Sequence, residues 1–281
     1  MRFDWSTLGA KAPTALVRAR NVTHHAVQWV VKAARANLPA AADDEHANLV
    51  WDGARAAFIS QPIPTANAEI RIGFSLRRFA LIILRNNRDL DEYELGGRKD
   101  ASVAVWFDSA MRVLGLQGVG EIELPYTLPS LPVLRGSAYH VSGESEALEE
   151  LARWYDAAAD LLAGVVAAQN LELPVLCHPR HLNINVQLGL GADADGSPRS
   201  IAVGMSPGDE HYAQPYFYLR TTPRLKQADL PLIAAPGRWH MQGFVGAVAT
   251  AEDIILHSEP QATAVEFLHT VIAIGRARLG V

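Results

Sequence analysis

The chain has 281 residues, 49% of them hydrophobic and 20% charged, with a formal net charge of −5 and a pI near 6.1. That supplies a sizeable core and excludes wholesale disorder, while the lack of any Lys/Arg run beyond pairs such as Arg77-Arg78 speaks against a nucleic-acid binder. A single cysteine (Cys177), an N-terminus without an apolar leader, and no apolar stretch near the ~20 residues of a membrane span point to a soluble, cytoplasmic protein with no membrane partner.

Residues 1–20 read as an irregular arm punctuated by Gly9 and Pro13. Asn21 or Thr23 is placed to cap a first helix that runs to Leu38, with Val27, Val30, Val31, Ala34 and Leu38 on one face and Pro39 as its stop. Strand candidates follow at 49–51 and 54–59, which flank the hairpin signal Asp52-Gly53, and at 69–74 and 79–84, joined through Arg77-Arg78. The polar stretch 86–100 reads as a loop. Residues 101–115 read as a helix with Val103, Phe107, Ala110, Met111 and Leu114 on one face. The segment 118–143 is a connector rich in Pro and Gly, with room for one short strand at 121–124.

A long helix over 145–169 opens the second half, carrying Leu148, Leu151, Ala152, Tyr155, Leu162 and Val166 on its apolar face. Strands are expected at 181–188, 199–205, 215–220 and 240–248, with Asp195-Gly196 in the first turn between them. A last helix covers 260–278, with Pro260 in its first turn. The element order predicts an α+β fold of two pseudo-repeated helix–four-strand–helix halves, 21–117 and 144–281, with mostly antiparallel sheet. The halves, the arm and the connector are expected to form one compact unit.

Chemistry concentrates between His178 and His240, where four of the ten histidines lie. The strand after His178-Pro179-Arg180 alternates: Leu182, Ile184, Val186 and Leu188 point one way, His181, Asn183, Asn185 and Gln187 the other. A half-buried strand with one wet face gives this pattern, and so does a strand lining a polar pocket. Two asparagines on one strand face favour the pocket, because Asn is depleted in strands.

A Ser206-Pro207-Gly208-Asp209 turn then delivers Glu210, His211 and the aromatics Tyr216 and Tyr218. Glu210 and His211 can share acid–base work if they meet in a loop. Trp239 and His240 lie between Gly237 and Gly243. His181, His211 and His240 each adjoin an expected strand, so a divalent metal held by the three imidazoles is one further possibility. On the first helix Gln28, Trp29 and Lys32 share a face, and Lys32 can reach an anionic ligand.

In order, these motifs resemble an uncharacterised bacterial family, the domain of unknown function numbered 5996, over roughly residues 22–275. Its helical signature corresponds to Gln28-Trp29-Val30-Val31-Lys32, with Val31 where a glycine is usual. Its S-x-P-I-P element matches Ser60-Gln61-Pro62-Ile63-Pro64. Its P-x-H-F-D segment matches Pro179-Arg180-His181-Leu182-Asn183, with an amide in the acid position. The Ser-Pro-Gly-Asp turn and Pro215-Tyr216-Phe217-Tyr218 complete the likeness. The resemblance implies that Lys32, His181 and the 206–218 segment share one site.

The resulting expectation is a small-molecule-binding protein or an enzyme. Its pocket would be built mainly from His181, Asn183, Glu210, His211, Tyr216, Tyr218, Trp239 and His240, with Lys32 in support. Glu210 and His211 are the acid–base candidates for a hydrolytic or isomerising reaction. The alternative is a non-catalytic module that binds a ligand or partner through the same aromatic and polar surface.

Overall fold

A computed structural model describes residues 3–120, 122–193 and 195–281. The chain forms two compact units. The first comprises Leu16–Ala152 with Leu176–Leu182; the second comprises the chain up to Ala15, Arg153–Val175 and Asn183–Val281. Among the described residues, six α-helices and two largely antiparallel sheets make the fold α+β, as expected. No helix among the described residues is long and apolar enough to cross a membrane.

The first unit begins with α1 (Val17–Ala26) and α2 (Gln28–Asn37), where one helix was expected. The break falls at Val27. There the Gln28 side-chain amide donates to the His24 carbonyl at 2.8 Å, satisfying an acceptor at the interruption. The expected arm is also shorter than 20 residues, because Pro13–Leu16 forms a 3₁₀ turn that leads directly into α1.

Strands β1 (Val50–Asp52), β2 (Ala57–Ile59), β3 (Ile63–Pro64), β4 (Glu69–Ser75), β5 (Ala80–Arg85) and β6 (Arg88–Glu94) follow. They pair antiparallel in the order β1-β2-β4-β5-β6, with β3 also on β4. β5 is buried from Ala80 through Leu84, which is why it reads as an uninterrupted apolar run. β6 lies where a loop was expected. Asn86 and Asn87 both have positive φ, 49° and 62°, and make the tight turn that starts it. Its residues are exposed apart from half-buried Tyr93, so no apolar alternation announces the strand. Its carboxylates instead give the sheet a charged edge.

Helix α3 (Asp100–Val113) follows as predicted, burying Val103, Phe107 and Met111. Glu121 lies outside the described residues and 122–124 is not a strand; the connector's regular structure is a 3₁₀ turn at Pro132–Arg135 and bridges of Ala138 and Tyr139 to Lys99 and Gly96. Helix α4 (Ser145–Ala168) counts with the first unit through Ala152 and with the second from Arg153. The short β7 (Leu176–His178) bridges back to Leu49 through Cys177.

In the second unit, β8 (Asn183–Ala192), β9 (Pro198–Ser206), β10 (Tyr216–Thr222), β11 (Arg238–His240) and β12 (Gly246–Thr250) form a sheet ordered β11-β12-β10-β9-β8. The expected strand at 240–248 is therefore a hairpin, turned by Gly243 at φ 81°. Short α5 (Ala251–Ile255) carries a Thr250–Asp253 capping box. Helix α6 (Pro260–Arg278) has the predicted bounds and packs on β9, β10 and β12 through Ala264, Phe267, Leu268, Val271, Ile272 and Gly275. Trp5, from the N-terminal segment, stacks on Phe217 at 6.1 Å between ring centroids.

Each sheet has a glycine in an interior strand whose missing side chain lets its neighbours meet. Ile59, Gly73 and Ile82 form one row across β2, β4 and β5. A Cβ on Gly73 would stand 2.4 Å from Ile59 Cδ1 and 2.8 Å from Ile82 Cγ1. Gly73→Val should therefore destabilise the fold by roughly 1–3 kcal/mol through overpacking. Urea unfolding measures this, and an unchanged midpoint would contradict the packing described.

Candidate functional site

The second unit gathers most of the sequence-predicted residues on one face of its sheet. Register puts Asn185, Gly204, Tyr218, Val248 and Arg238 in a single row across five strands. Because Gly204 has no side chain, the Asn185 amide crosses β9 and donates to the Tyr218 hydroxyl at 3.0 Å. The alternation expected for β8 is present: Ile184, Val186 and Leu188 are buried, while Asn183 and Asn185 are half-buried and Gln187 is exposed. The Asn183 Oδ1 is buried with no hydrogen-bond partner among the described residues.

Asp209 organises the turn that follows, an Asx-type role the sequence reading did not assign to it. One carboxylate oxygen accepts from the backbone N–H groups of His211 (2.8 Å) and Tyr212 (3.0 Å); the other accepts from the Tyr216 hydroxyl at 2.6 Å. Burial, then the Asp209 hydrogen bond and charge, push the Tyr216 phenol well above its ordinary range.

His240 donates from Nε2 to the Gln242 carbonyl, which leaves Nδ1 to accept from the Tyr212 hydroxyl at 2.9 Å. Its ring stacks on Phe244 with centroids 4.2 Å apart and lies 4.7 Å from the His211 ring. Arg220 and Arg238 sit over Phe244 and Tyr212 at 5.4 and 5.5 Å.

Not every expected member joins. Trp239 is on the opposite sheet face from His240, as adjacent strand residues must be, and its indole donates to the Pro231 carbonyl at 2.7 Å. Glu210 and His211 approach no closer than 3.9 Å, and the Glu210 side chain is 77% exposed, so no short acid–base hydrogen bond joins them. His181 belongs to the first unit. Both nitrogens of His240 are committed, and no group of three or more His, Cys, Asp or Glu side chains among the described residues is placed to hold a metal ion. The described residues therefore do not assemble the expected three-histidine metal centre.

The first unit holds a cavity of about 520 Å³ beside the face of α2 that carries Gln28, Trp29 and Lys32. That volume is within the ~300–1,000 Å³ typical of ligand pockets. His25 and Asp100 contribute from α1 and α3; Ile122, Leu124, Tyr126, Leu128 and Leu134 close it from the connector. Lys32 was identified from the sequence. Tyr126 was not, because isolated side chains in a Pro/Gly-rich stretch make no periodic pattern.

A chain of hydrogen bonds sets the wall. The Trp29 indole donates to the Tyr139 hydroxyl at 3.2 Å, and Tyr139 donates to Asp100 Oδ1 at 2.7 Å. His25 Nε2 meets Asp100 Oδ2 at 2.9 Å. Burial alone would raise the Asp100 carboxyl, but the hydrogen bonds from His25 and Tyr139 and the charges of His25 and Lys32 outweigh it and hold the group below its ordinary range. The Tyr126 hydroxyl donates to Gln28 Oε1 at 2.7 Å, fastening the connector to α2. His25 is 7% exposed, and its Nδ1 has no hydrogen-bond partner among the described residues. Next to it, His24 donates from Nε2 to the Pro179 carbonyl at 2.9 Å.

Two outcomes follow. Tyr139→Phe leaves a buried indole N–H and one Asp100 oxygen without their partner, and should cost roughly 1–3 kcal/mol of stability in urea unfolding. Burial pushes the His24 imidazole down to about 4 from 6.5, outweighing the Pro179 carbonyl, with the charges of His181, Arg20 and His25 adding to the depression. Between those values the unfolded chain binds a proton that the folded chain refuses, so stability falls as pH drops from 6.5 towards 4. The Asp100 contribution is then lost on further acidification, below about its ordinary value of 3.8. Unfolding curves taken across the upper window should show this slope in the wild type and a flatter one in His24→Gln.

No known protein family, curated protein or solved structure matches this chain.

Proposed function

We propose that the chain is a small-molecule-binding protein whose ligand occupies the cavity of the first unit. The observation that carries this reading is the make-up of the cavity wall: apolar side chains from α2 and the connector around a few fixed polar groups, at about 520 Å³. Gln28, Trp29 and Lys32, which share one face of α2, all line this space and support the reading too. The polar aromatic face of the second unit was the site expected from sequence. It is the weaker candidate, since its hydrogen-bonding capacity is largely spent on itself. A cytoplasmic setting fits the single cysteine: Cys177 is free and fully buried, and burial raises its thiol pKa.

A second reading, an enzyme, has one specific observation in its favour. In acid–base catalysts a carboxylate orients the imidazole and leaves the far nitrogen for the substrate's proton. Asp100 holds His25 in that sense, and Nδ1, although itself buried, has no hydrogen-bond partner among the described residues.

A metabolite thermal-shift screen on the wild type and on Leu124→Trp, which fills the cavity, tests the main reading. A ligand at a hundredfold excess over Kd should raise the wild-type Tm by roughly 5 °C or more and leave the variant unmoved. No stabilising compound, or equal shifts in both proteins, would count against it. Conversion of a hit, followed by mass spectrometry and abolished in His25→Gln with binding retained, is the outcome the enzyme reading requires.

A further inference from the structure

We infer that the cavity in the first unit takes an organic monoanion, an apolar or aromatic body ending in one carboxylate that is set against Lys32. This inference rests on the small-molecule reading above and adds the chemical class of the ligand.

The charged and polar groups on the cavity wall differ in what they have left to offer a ligand. Asp100 already accepts at both of its oxygens, from Tyr139 at 2.7 Å and from His25 Nε2 at 2.9 Å, and the charges of His25 and Lys32 already bear on it, so it offers a cationic ligand little unmatched charge. Glu123 is exposed, so solvent screens it. Gln28 accepts from Tyr126 and donates to the His24 carbonyl, so its amide is engaged at both ends.

Lys32 differs from all of these. It is half-buried and lines the cavity, and although its charge acts on Asp100 it makes no hydrogen bond or close ion pair of its own among the described residues. Its ammonium lies 5.5 Å from the centroid of the Trp29 ring. An ammonium carries three donors, and one held against an apolar wall gains most from an anionic acceptor. The remaining wall fixes the other end of the ligand. Trp29, Ile122, Leu124, Leu128 and Leu134 present apolar surface, which suits a hydrocarbon or aromatic body and not a sugar or a second charge.

Isothermal titration calorimetry on the full chain tests the inference with two isosteric series: octanoate, octanamide and octylamine; and 2-naphthylacetate, 2-naphthylacetamide and 2-naphthylethylamine. In at least one series the carboxylate should bind about tenfold or more tightly than the amide, as a charge-assisted hydrogen bond implies. Lys32→Met should bring the two within about threefold while leaving amide affinity unchanged. Lys32→Gln serves the same purpose should the methionine variant fold poorly, which its circular dichroism melt would reveal.

Equal affinity of carboxylate and amide in the wild type would overturn the anion inference and leave the cavity reading standing. So would tighter binding of the amine, or a carboxylate preference that survives in both Lys32 variants. If no compound of either series binds at about 1 mM, the anion inference falls, while the cavity reading is decided by the thermal-shift screen.

Discussion

Both oxygens of Asp100 are spoken for, one by the imidazole of His25 and the other by the Tyr139 hydroxyl, and the arrangement of the first unit around its cavity is referred to that carboxylate. Asp100 opens α3, His25 sits near the end of α1, and Tyr139 comes from the end of the connector. Tyr139 also accepts from Trp29 on α2. Four separate stretches of chain thus meet on one ionised group at a helix N-terminus, where negative charge is favoured. A network of this kind is stable only when each member is satisfied. The open member is His25 Nδ1, on a residue that lines the cavity.

Adjacent histidines in α1 have been given opposite tasks by their surroundings. His24 faces the Pro179 carbonyl and is held neutral by burial. His25 faces a carboxylate. The division arises because consecutive helical positions are about 100° apart, so two identical side chains sample different neighbours. In the second unit the same residue type is used differently again, with His240 clamped between a tyrosine hydroxyl and a backbone carbonyl while stacked on Phe244.

Much of the fold was legible where burial imposes a period. α3, α4, α6, β4 and β8 carry their apolar residues at helical or alternating spacing, and β5 is an uninterrupted apolar run; all were expected, with β8 starting two residues later and ending four residues later than its expected bounds. β6 was illegible because an edge strand wet on nearly every residue has no period to show. The break between α1 and α2 was illegible because it is confined to Val27, whose backbone stays helical, and the acceptor it frees is taken by a side chain, Gln28, reaching back to His24. The site divides along the same line. Gln28, Trp29 and Lys32 stand at helical spacing and could be read together. Asp100 reaches them from the start of α3, and Tyr126 and Tyr139 only through the path of the connector, which nothing local in a proline-rich stretch encodes. In the second unit the residues expected to cluster largely did so, but their residue types alone could not reveal that His240 had no nitrogen to spare.

The interior-strand glycines have a consequence beyond packing. Gly204 stands between Asn185 and Tyr218, and Gly73 between Ile59 and Ile82. If β9 slid by one residue against its neighbours, Val203 or Met205 would enter a gap that accepts no side chain: a Cβ at position 204 would already lie 2.3 Å from the Ile184 carbonyl oxygen. Hydrogen bonding alone tolerates such a slip, because the ladder repeats, whereas side-chain identity does not. Each glycine therefore acts as an alignment key, admitting its strand to the sheet in one position and rejecting the neighbouring offsets.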